Sequence, residues 1–419
     1  MERNHWRNAA CEQVAFPALQ SDISVDFAVI GGGYTGLNAA RVAAMNGMSV
    51  CLIEANSIGY GGSGRNVGLV NAGLWLPPDE IKKTLGQSQG MRLITDLGQG
   101  PDDVFDLIKT YEIQCDARRS GTLHLAHSAR AVTELEDRCA QWNALGAPVS
   151  VLNRDDTARR VGSAHYHGAL FDARAGVIQP LDYARGLARA AQMHGVKIYE
   201  NTVAMRIIQD SAWCIETPNG KIYAANLLIA TNAYSQQMAG VDPCKTSIVS
   251  YFQCVSGRID KFAFDNILAE NEGCWDTALI MSSFRKTRDN RLVFGAMGES
   301  SDLIGEKIHD TWARRAIRRI FPNVNIQLFR SWSGKIAMTQ KKIPEIVKIG
   351  KGCYSIFGYS GRGIAPGTVI GKQFCHFITK GDPDELCIRT ESGYSEYGTK
   401  LKSLYYESGA RMSHIIKSY

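Results

Sequence analysis

Asp26-Phe-Ala-Val-Ile-Gly-Gly-Gly-Tyr-Thr-Gly36 decides the fold, because an apolar run breaks into glycines and the glycines open onto a helical pattern. Residues 26–30 read as a buried strand. Beyond the glycines, Leu37, Ala40 and Ala44 fall on one face of a helix that Gly47 stops. Ser49-Val-Cys-Leu-Ile-Glu54 is a second buried strand. A strand–helix–strand unit of about thirty residues requires a right-handed crossover and two parallel strands. The expected class is α/β, α+β over the whole chain, with a Rossmann-like domain at the amino end.

The same glycines carry chemistry. In a Gly-x-Gly-x-x-Gly turn here, Gly31 makes the bend, Gly33 lets backbone approach a diphosphate and Gly36 lets helix and strand close up. The helix start offers N–H groups and the positive end of its dipole to phosphate. Glu54 ends the second strand, 18 residues past Gly36. A carboxylate there accepts hydrogen bonds from both ribose hydroxyls and repels a 2′-phosphate. Strand, helix and acid together predict a dinucleotide site, against the bland alternative of a structural turn and a solvated acid.

A nicotinamide enzyme needs little beyond this unit, whereas FAD needs distant segments to hold its flavin. Ser63-Gly-Arg-Asn-Val-Gly68 is suited to wrapping the middle of the cofactor. Leu227-Leu-Ile-Ala-Thr-Asn232 is a buried strand ending in small polar residues. Gly358-Tyr-Ser-Gly-Arg-Gly363 is a glycine loop before a helix, able to present N–H groups to flavin carbonyls. Each alone is an ordinary turn; together they favour FAD. Tyr34, Thr35, Ala55, Gly62, Thr231 and Ile364, in or beside these segments, complete the expected contacts.

The rest of the sequence bounds the answer. A length of 419 residues exceeds one ordinary core, so two or three domains are expected. Forty-seven Lys and Arg against 41 Asp and Glu leave a net charge of +6, scattered rather than striped, which speaks against a nucleic-acid partner. Lys335, Lys341 and Lys342 read as a solvated face. The 11 cysteines include no Cys-x-x-Cys pair, so neither a disulfide framework nor a metal site is expected, and the setting is a reducing cytoplasm. Met1–Ser24 reads as an extension without periodicity, lying over the next domain, with no apolar signal and no membrane span. The glycine-rich stretch from Gly59 to Pro78 is too long for an idle loop. Pro218-Asn-Gly220 and Asp289-Asn290 mark two hairpins.

Beyond these motifs, the chain resembles the D-amino-acid-oxidase-like flavoproteins, the group of glycine and sarcosine oxidases, with the gamma-glutamylputrescine oxidases nearest in motif. The matching stretches are Val29-Ile-Gly-Gly-Gly-Tyr-Thr-Gly-Leu37, Ile58-Gly-Tyr-Gly-Gly-Ser-Gly-Arg-Asn66, Tyr166-His-Gly-Ala-Leu170, Gly176-Val-Ile-Gln-Pro-Leu181, Arg291-Leu-Val-Phe-Gly295 and Gly358-Tyr-Ser-Gly361. The resemblance implies an FAD-binding domain from residues 25–100, 165–245 and 333–380. A substrate domain is inserted at 101–164 and 246–332, on a mostly antiparallel sheet with helices, between an extension at 1–24 and a tail at 381–419. It also implies that Val203 meets the adenine and that Trp332 and Gly334 lie near the flavin. Relatives that bind flavin covalently use a Cys or His where this chain has Gly334–Thr339 and Ser63–Asn66, which contain neither, so FAD is expected to be non-covalent. Arg362 replaces the family's His, and Ala365 the lysine that grips a carboxylate in the sarcosine-oxidase branch.

The expected reaction is oxidation of a C–N bond in a small amine or amino acid, by hydride transfer to flavin N5. The imine hydrolyses, and oxygen takes the electrons. A quinone or carrier as acceptor, or a flavin-binding protein with a partner-binding role, are the competing readings. Tyr251 and Tyr359 are the chosen walls of the substrate pocket, from a set that includes Trp75, Phe252 and Phe284. Arg362 is placed at the flavin or a substrate carboxylate, and Arg291 as the positive charge that favours reaction with oxygen. His124, His127, His165 and His167 read as structural.

Overall fold

The computed structural model describes residues 4–235, 238–241 and 244–416. Ile23–Ile30 is the hub of the first sheet. It pairs in parallel with Val50–Ile53 on one side and Gly220–Ile229 on the other. Lys197–Tyr199 and Cys353–Phe357 extend the parallel run outward. In chain order the five strands lie 3-2-1-4-5, so the order reverses between Ile23–Ile30 and Gly220–Ile229. In a doubly wound sheet, that reversal opens a crevice at the carboxyl ends of the two strands. Here the ends are Ile30 and Ile229, leading into Gly31 and Ala230.

The helix Tyr34–Met45 crosses this sheet with Leu37, Ala39, Ala40 and Ala43 fully buried. Its small residues admit a second helix, Ile364–Lys380, at close range: a Cβ on Gly371 would stand 2.6 Å from the Thr35 carbonyl oxygen. Both helices therefore begin beside the crevice.

The second sheet has eight strands, in the order 328–338, 247–256, 292–297, 282–286, 273–276, 122–125, 169–172 and 149–152. All its pairs are antiparallel except Gly273–Asp276 with Thr122–Leu125. Both expected hairpins form, with Thr217 opposite Gly220 and with Asn290 in the left-handed region. One face buries Phe252, Phe284 and Phe294 against the helix Leu303–Ile320 and Phe321 at its end; each ring contributes about 1.5–3 kcal/mol of burial. The expected domain boundaries do not follow the sheets everywhere. Leu328–Met338 runs through position 332/333 as one strand, and Ala169–Asp172 pairs in the second sheet.

From Asn4 onward the amino-terminal extension makes specific contacts. Trp6, in a short helix His5–Asn8, is 1% exposed. The backbone N–H groups of Cys11 and Glu12 donate to Asp182, and Arg189 pairs with Glu12.

Candidate active site

The crevice is the mouth of a cavity of about 700 Å³ that runs between the two sheets, in the upper part of the range for small-molecule sites. Gly31–Thr35, Glu54, Ala55 and Val203 line its Rossmann end. Gly31 needs the glycine conformation, at φ +116° with the Ala230 carbonyl 2.8 Å from where a Cβ would sit. A Cβ on Gly33 would stand 2.9 Å from Ser63 Oγ, so the absent side chain leaves a cradle between the two. The Glu54 carboxylate is aimed by two backbone donors, Gly32 N at 2.9 Å and Asn56 N at 3.0 Å, and burial pushes its pKa up. The helices at Tyr34 and Ile364 start at Gly33 and Gly363, neither of which has a capping side chain, although Tyr34 N donates to Ser63 Oγ at 3.3 Å, and both starts line the cavity. Two positive helix ends thus face one elongated space.

The loop 59–68 closes over the middle. Gly62, Ser63, Asn66 and Val67 line the cavity while the loop's carbonyls are held from outside. Asn4 Nδ2 donates to Gly64 O at 2.8 Å, Trp332 Nε1 to Arg65 O at 2.8 Å and Trp6 Nε1 to Asn66 O at 2.9 Å. Thr231 and Asn232 line the far bank, where Asn232 Oδ1 accepts from Gly358 N at 3.0 Å and ties the strand end to the second glycine loop. Gly361, Gly363 and Ile364 line that loop's inner side.

At the other end, strand alternation presents Val249, Tyr251 and Gln253 to the cavity and sends Phe252 and Cys254 to the core. Trp275 stacks on His124 at 4.9 Å and meets Trp75 edge-on at 6.3 Å, completing an aromatic wall. Burial, with Arg138 and Arg362 nearby, holds His124 well below the ordinary imidazole pKa, so the ring is neutral. Tyr251 Oη, Gln253 Oε1 and Trp275 Nε1 are buried without a hydrogen-bond partner among the described residues. Burial also pushes the Tyr251 pKa up, so its hydroxyl stays protonated.

Several expected residues stand elsewhere. Arg291 is outside the cavity, paired with Asp289 at 2.7 Å and donating to Ser256 O at 2.9 Å. Arg362 lies behind the wall, its guanidinium 4.6 Å from the Trp75 ring and 4.9 Å from Trp275, bonded to Ala72 O. Tyr359 does line the cavity, but its hydroxyl is engaged by Thr35 Oγ1 at 2.6 Å. Trp332 faces Trp6, and Gly334 lies directly beneath the Tyr251 hydroxyl. Gly36, Gly64 and Gly68 each back onto a carbonyl (of Gly31, Gly59 and Ile178) and shape the walls from behind. Arg65 turns onto the Tyr60 ring and its carbonyl; Gly358 acts through Asn232. Phe252 and Phe284 are core.

The sequence matches the family described as DAO, FAD dependent oxidoreductase, over residues 26–376. The chain belongs to this family. A probable oxidoreductase OrdL of Rhizobium meliloti is 31% identical over 95% of this chain and 94% of its own length. The gamma-glutamylputrescine oxidoreductase of Escherichia coli is 27% identical over 91% of this chain and 90% of its own. Among solved structures, glycine oxidase from Geobacillus kaustophilus superimposes with a TM-score of 0.70 at 19% identity, covering 85% of this chain and 95% of that one. L-amino acid deaminase from Proteus vulgaris gives 0.71 at 17% identity, over 92% and 97%. As a DAO-family member the chain is an FAD-dependent oxidoreductase, and its cavity suits that cofactor: a cradle at Gly33, a fixed acid at Glu54 and two helix starts that open from glycines. No helix among the described residues is long and apolar enough to cross a membrane.

Gln253, Trp275, Asp276 and Tyr234, absent from the sequence reading, line the cavity, and so does His124, which was read as structural. Gln253 carried a signal, as an uncharged amide set between Tyr251-Phe252 and Cys254-Val255. His124 carried none, since every residue of its strand is buried. Lys335 and Lys342, expected on a solvated face, are exposed and line the cavity as well.

Proposed function

We propose that this DAO-family chain oxidises the C–N bond of an aliphatic amine whose reacting end lies among Tyr251, Gln253 and Trp275 and whose polar tail reaches the rim, with molecular oxygen as acceptor. One observation carries the reading: three buried polar atoms line the cavity with no hydrogen-bond partner among the described residues. An unpaired buried polar atom costs about 1–3 kcal/mol, so a ligand that pairs them is favoured. Gln253 Oε1 and Tyr251 Oη each accept an amine N–H, which leaves the nitrogen lone pair free, and Trp275 Nε1, a donor only, meets an acceptor farther along the substrate.

In this proposal the backbone of Gly31–Thr35 and Ser63 hold the diphosphate of FAD, Glu54 the ribose and Val203 the adenine. Thr231 and Asn232 close the adenosine side, and the N–H groups of Gly361, Gly363 and Ile364 meet the flavin carbonyls. The cofactor, held non-covalently, supplies a two-electron acceptor at flavin N5. The chain's own work is positioning and desolvation. An ammonium has no lone pair to stabilise the developing iminium, and a wall of Trp75, Trp275 and neutral His124 disfavours the charged form of a bound amine. The imine that leaves is hydrolysed by water.

The wall also bears on substrate class. Arg362 is screened by two tryptophans, and the cavity-lining cations among the described residues, Lys335 and Lys342, are exposed. A carboxylate therefore suits the rim better than the reacting carbon. Gamma-glutamylputrescine, named for the Escherichia coli relative, has this layout, with an amine at one end and a carboxylate at the other.

The test is anaerobic bleaching of bound flavin by γ-glutamyl diamines, simple diamines, sarcosine and proline, then peroxide assay on readmitting air. The proposal expects the γ-glutamyl diamine to bleach fastest, Gln253→Leu to slow it at least about tenfold, and peroxide to appear in step with substrate loss. Fastest bleaching by an α-amino acid would overturn the substrate class; bleaching without peroxide or oxygen uptake would overturn the acceptor.

A further inference from the structure

The aromatic wall at the reacting end of the cavity is backed by charge. Arg362 is 7% exposed, and its guanidinium stands over the Trp75 and Trp275 rings at 4.6 and 4.9 Å. It donates to Ala72 O at 3.2 Å, while its Nε is buried with no hydrogen-bond partner among the described residues. Arg138, on the helix Ala129–Asn143, donates to the carbonyls of Leu74 and Trp75 at 3.2 and 2.6 Å. Both guanidiniums are thus held by the backbone that carries Trp75, not by an acid. The carboxylate that acts on them is Asp172, and Arg174 takes both of its oxygens, at 2.9 and 2.7 Å. Three arginines therefore share one acid. Burial pushes both guanidinium pKa values down, to about 10 at Arg138, and each still keeps its proton at neutral pH. Buried charges are ordinarily paired, so an excess of this kind calls for a use.

We propose that Arg362, with Arg138 beside it, closes the reacting end of the cavity to cations, so that a substrate amine reaches Gln253 and Tyr251 only without its proton. The inference rests on the amine-oxidising reading above and names the residues that enforce its deprotonated amine. Arg362 does not line the cavity; it is a positioning residue that acts through two tryptophans. An indole face attracts a cation, so Trp75 and Trp275 alone would invite an ammonium. Here a guanidinium already stands over both rings, and through buried rings its repulsion of a second cation is weakly screened. His124, stacked on Trp275, feels that field: Arg138 and Arg362 join burial in lowering its pKa.

The carboxylates lining this end do not cancel the charge. Asp276 is drawn back by Ala278 N at 3.0 Å, Ser282 N at 3.3 Å and the Ser282 hydroxyl, and burial raises its pKa. Glu134 is exposed and faces Arg130 at 3.5 Å. The proton stays in solvent: the ammonium gives it to water at the mouth, leaving hydronium outside, and the amine enters with its lone pair. A positive field favours that neutral form.

Choline and 3,3-dimethylbutan-1-ol share one shape and differ in charge, nitrogen against carbon. Titrated into the oxidised, FAD-loaded enzyme and followed by flavin absorbance, the alcohol should bind at least about tenfold more tightly. Arg362→Met should erase that preference or turn it toward choline, as bare indole faces would. Arg138→Met should shift it the same way, with the alcohol's own affinity within about threefold in both variants. A change in the shape of the wall would move the two ligands together instead. Bleaching by a diamine between pH 7 and 9 gives a second readout. The wild-type saturating rate should hold within about twofold while the half-saturating concentration falls as neutral amine accumulates. In Arg362→Met the saturating rate should fall with acid, because the ammonium now binds and blocks. Choline binding as tightly as the alcohol to the wild-type enzyme would overturn the proposal, whether or not either variant holds flavin. A preference that both variants retain would overturn it too. A flavin that no amine bleaches, beside an Arg362-dependent preference for the alcohol, would remove the amine reaction and uphold the exclusion of cations.

Discussion

Trp6→Phe tests whether the amino-terminal extension shapes the cofactor loop from behind. Phe keeps an apolar ring against Trp332, 5.9 Å away edge-on, and under the Arg285 guanidinium at 5.6 Å. What it removes is the Nε1 donor to Asn66 O, a bond of 2.9 Å. Leaving that carbonyl unpaired costs about 1–3 kcal/mol. Asn66 lines the cavity and its own side chain organises the turn, donating to Gly62 O and accepting from Gly68 N, each at 2.8 Å. The loss therefore falls on the loop, and the FAD dissociation constant should rise by roughly five- to a hundredfold, given that 1.4 kcal/mol is tenfold. The assay is flavin fluorescence on titrating FAD into stripped protein, beside thermal unfolding with and without FAD. Asn4→Ala, which frees Gly64 O, should act in the same sense. Apo-protein that melts earlier but binds FAD within twofold of wild type would refute the reasoning.

Glu54→Gln should weaken FAD roughly tenfold, by removing the charge from the acceptor that Gly32 N and Asn56 N hold in place; equilibrium dialysis of free flavin checks it. Tyr359→Phe should lower stability by about 1–2 kcal/mol through the lost Thr35 contact, while leaving the rate of flavin reduction within about threefold, because its hydroxyl is not free to meet substrate. Stopped-flow bleaching beside thermal melts separates the two effects. Acid should loosen the carboxy-terminal helix Thr399–Ile416, whose His414 Nδ1 meets His309 Nδ1 at 2.7 Å. Burial holds the His309 pKa below 6.5, with Arg411 also lowering it and Glu407, Asp302 and Glu299 opposing. Above pH 6.5 docked and undocked forms are both neutral; below it the undocked form gains a proton that the docked form refuses, so docking weakens as pH falls toward the depressed value. Hydrogen exchange across residues 399–416 between pH 7.5 and 5 should show rising exchange.

The fold was legible where chemistry is local. Gly31, Gly33, Gly36 and Glu54 sit in one strand–helix–strand unit, so their spacing already states their geometry. The lining by Ser63, Thr231 and Gly363 could be anticipated because glycine and small polar residues at element ends have few other uses. The two arginines were not legible. Whether Arg362 enters the cavity or backs onto Trp75 and Trp275 depends on two aromatic residues 287 and 87 positions away. Arg291 is captured by Asp289 within its own hairpin. Tyr251 was singled out and lines the cavity, whereas Gln253, on the same face of that strand, was not singled out. The segment 381–419 was taken for a tail because its helix Thr399–Ile416 exposes Leu404, Tyr405 and Ile415 rather than burying them.

The 3-2-1-4-5 strand order has a consequence for biosynthesis. The hub strand leaves the ribosome early, but its neighbour Gly220–Ile229 emerges nearly two hundred residues later, and the helix beginning at Ile364 follows after another long interval. Sequence-distant pairings of this kind form slowly, and exposed edges wait for them. The nascent chain thus carries an incomplete nucleotide cleft through most of its translation, and a message truncated before codon 364 would yield polypeptide with the first half of the cradle and nothing to close it.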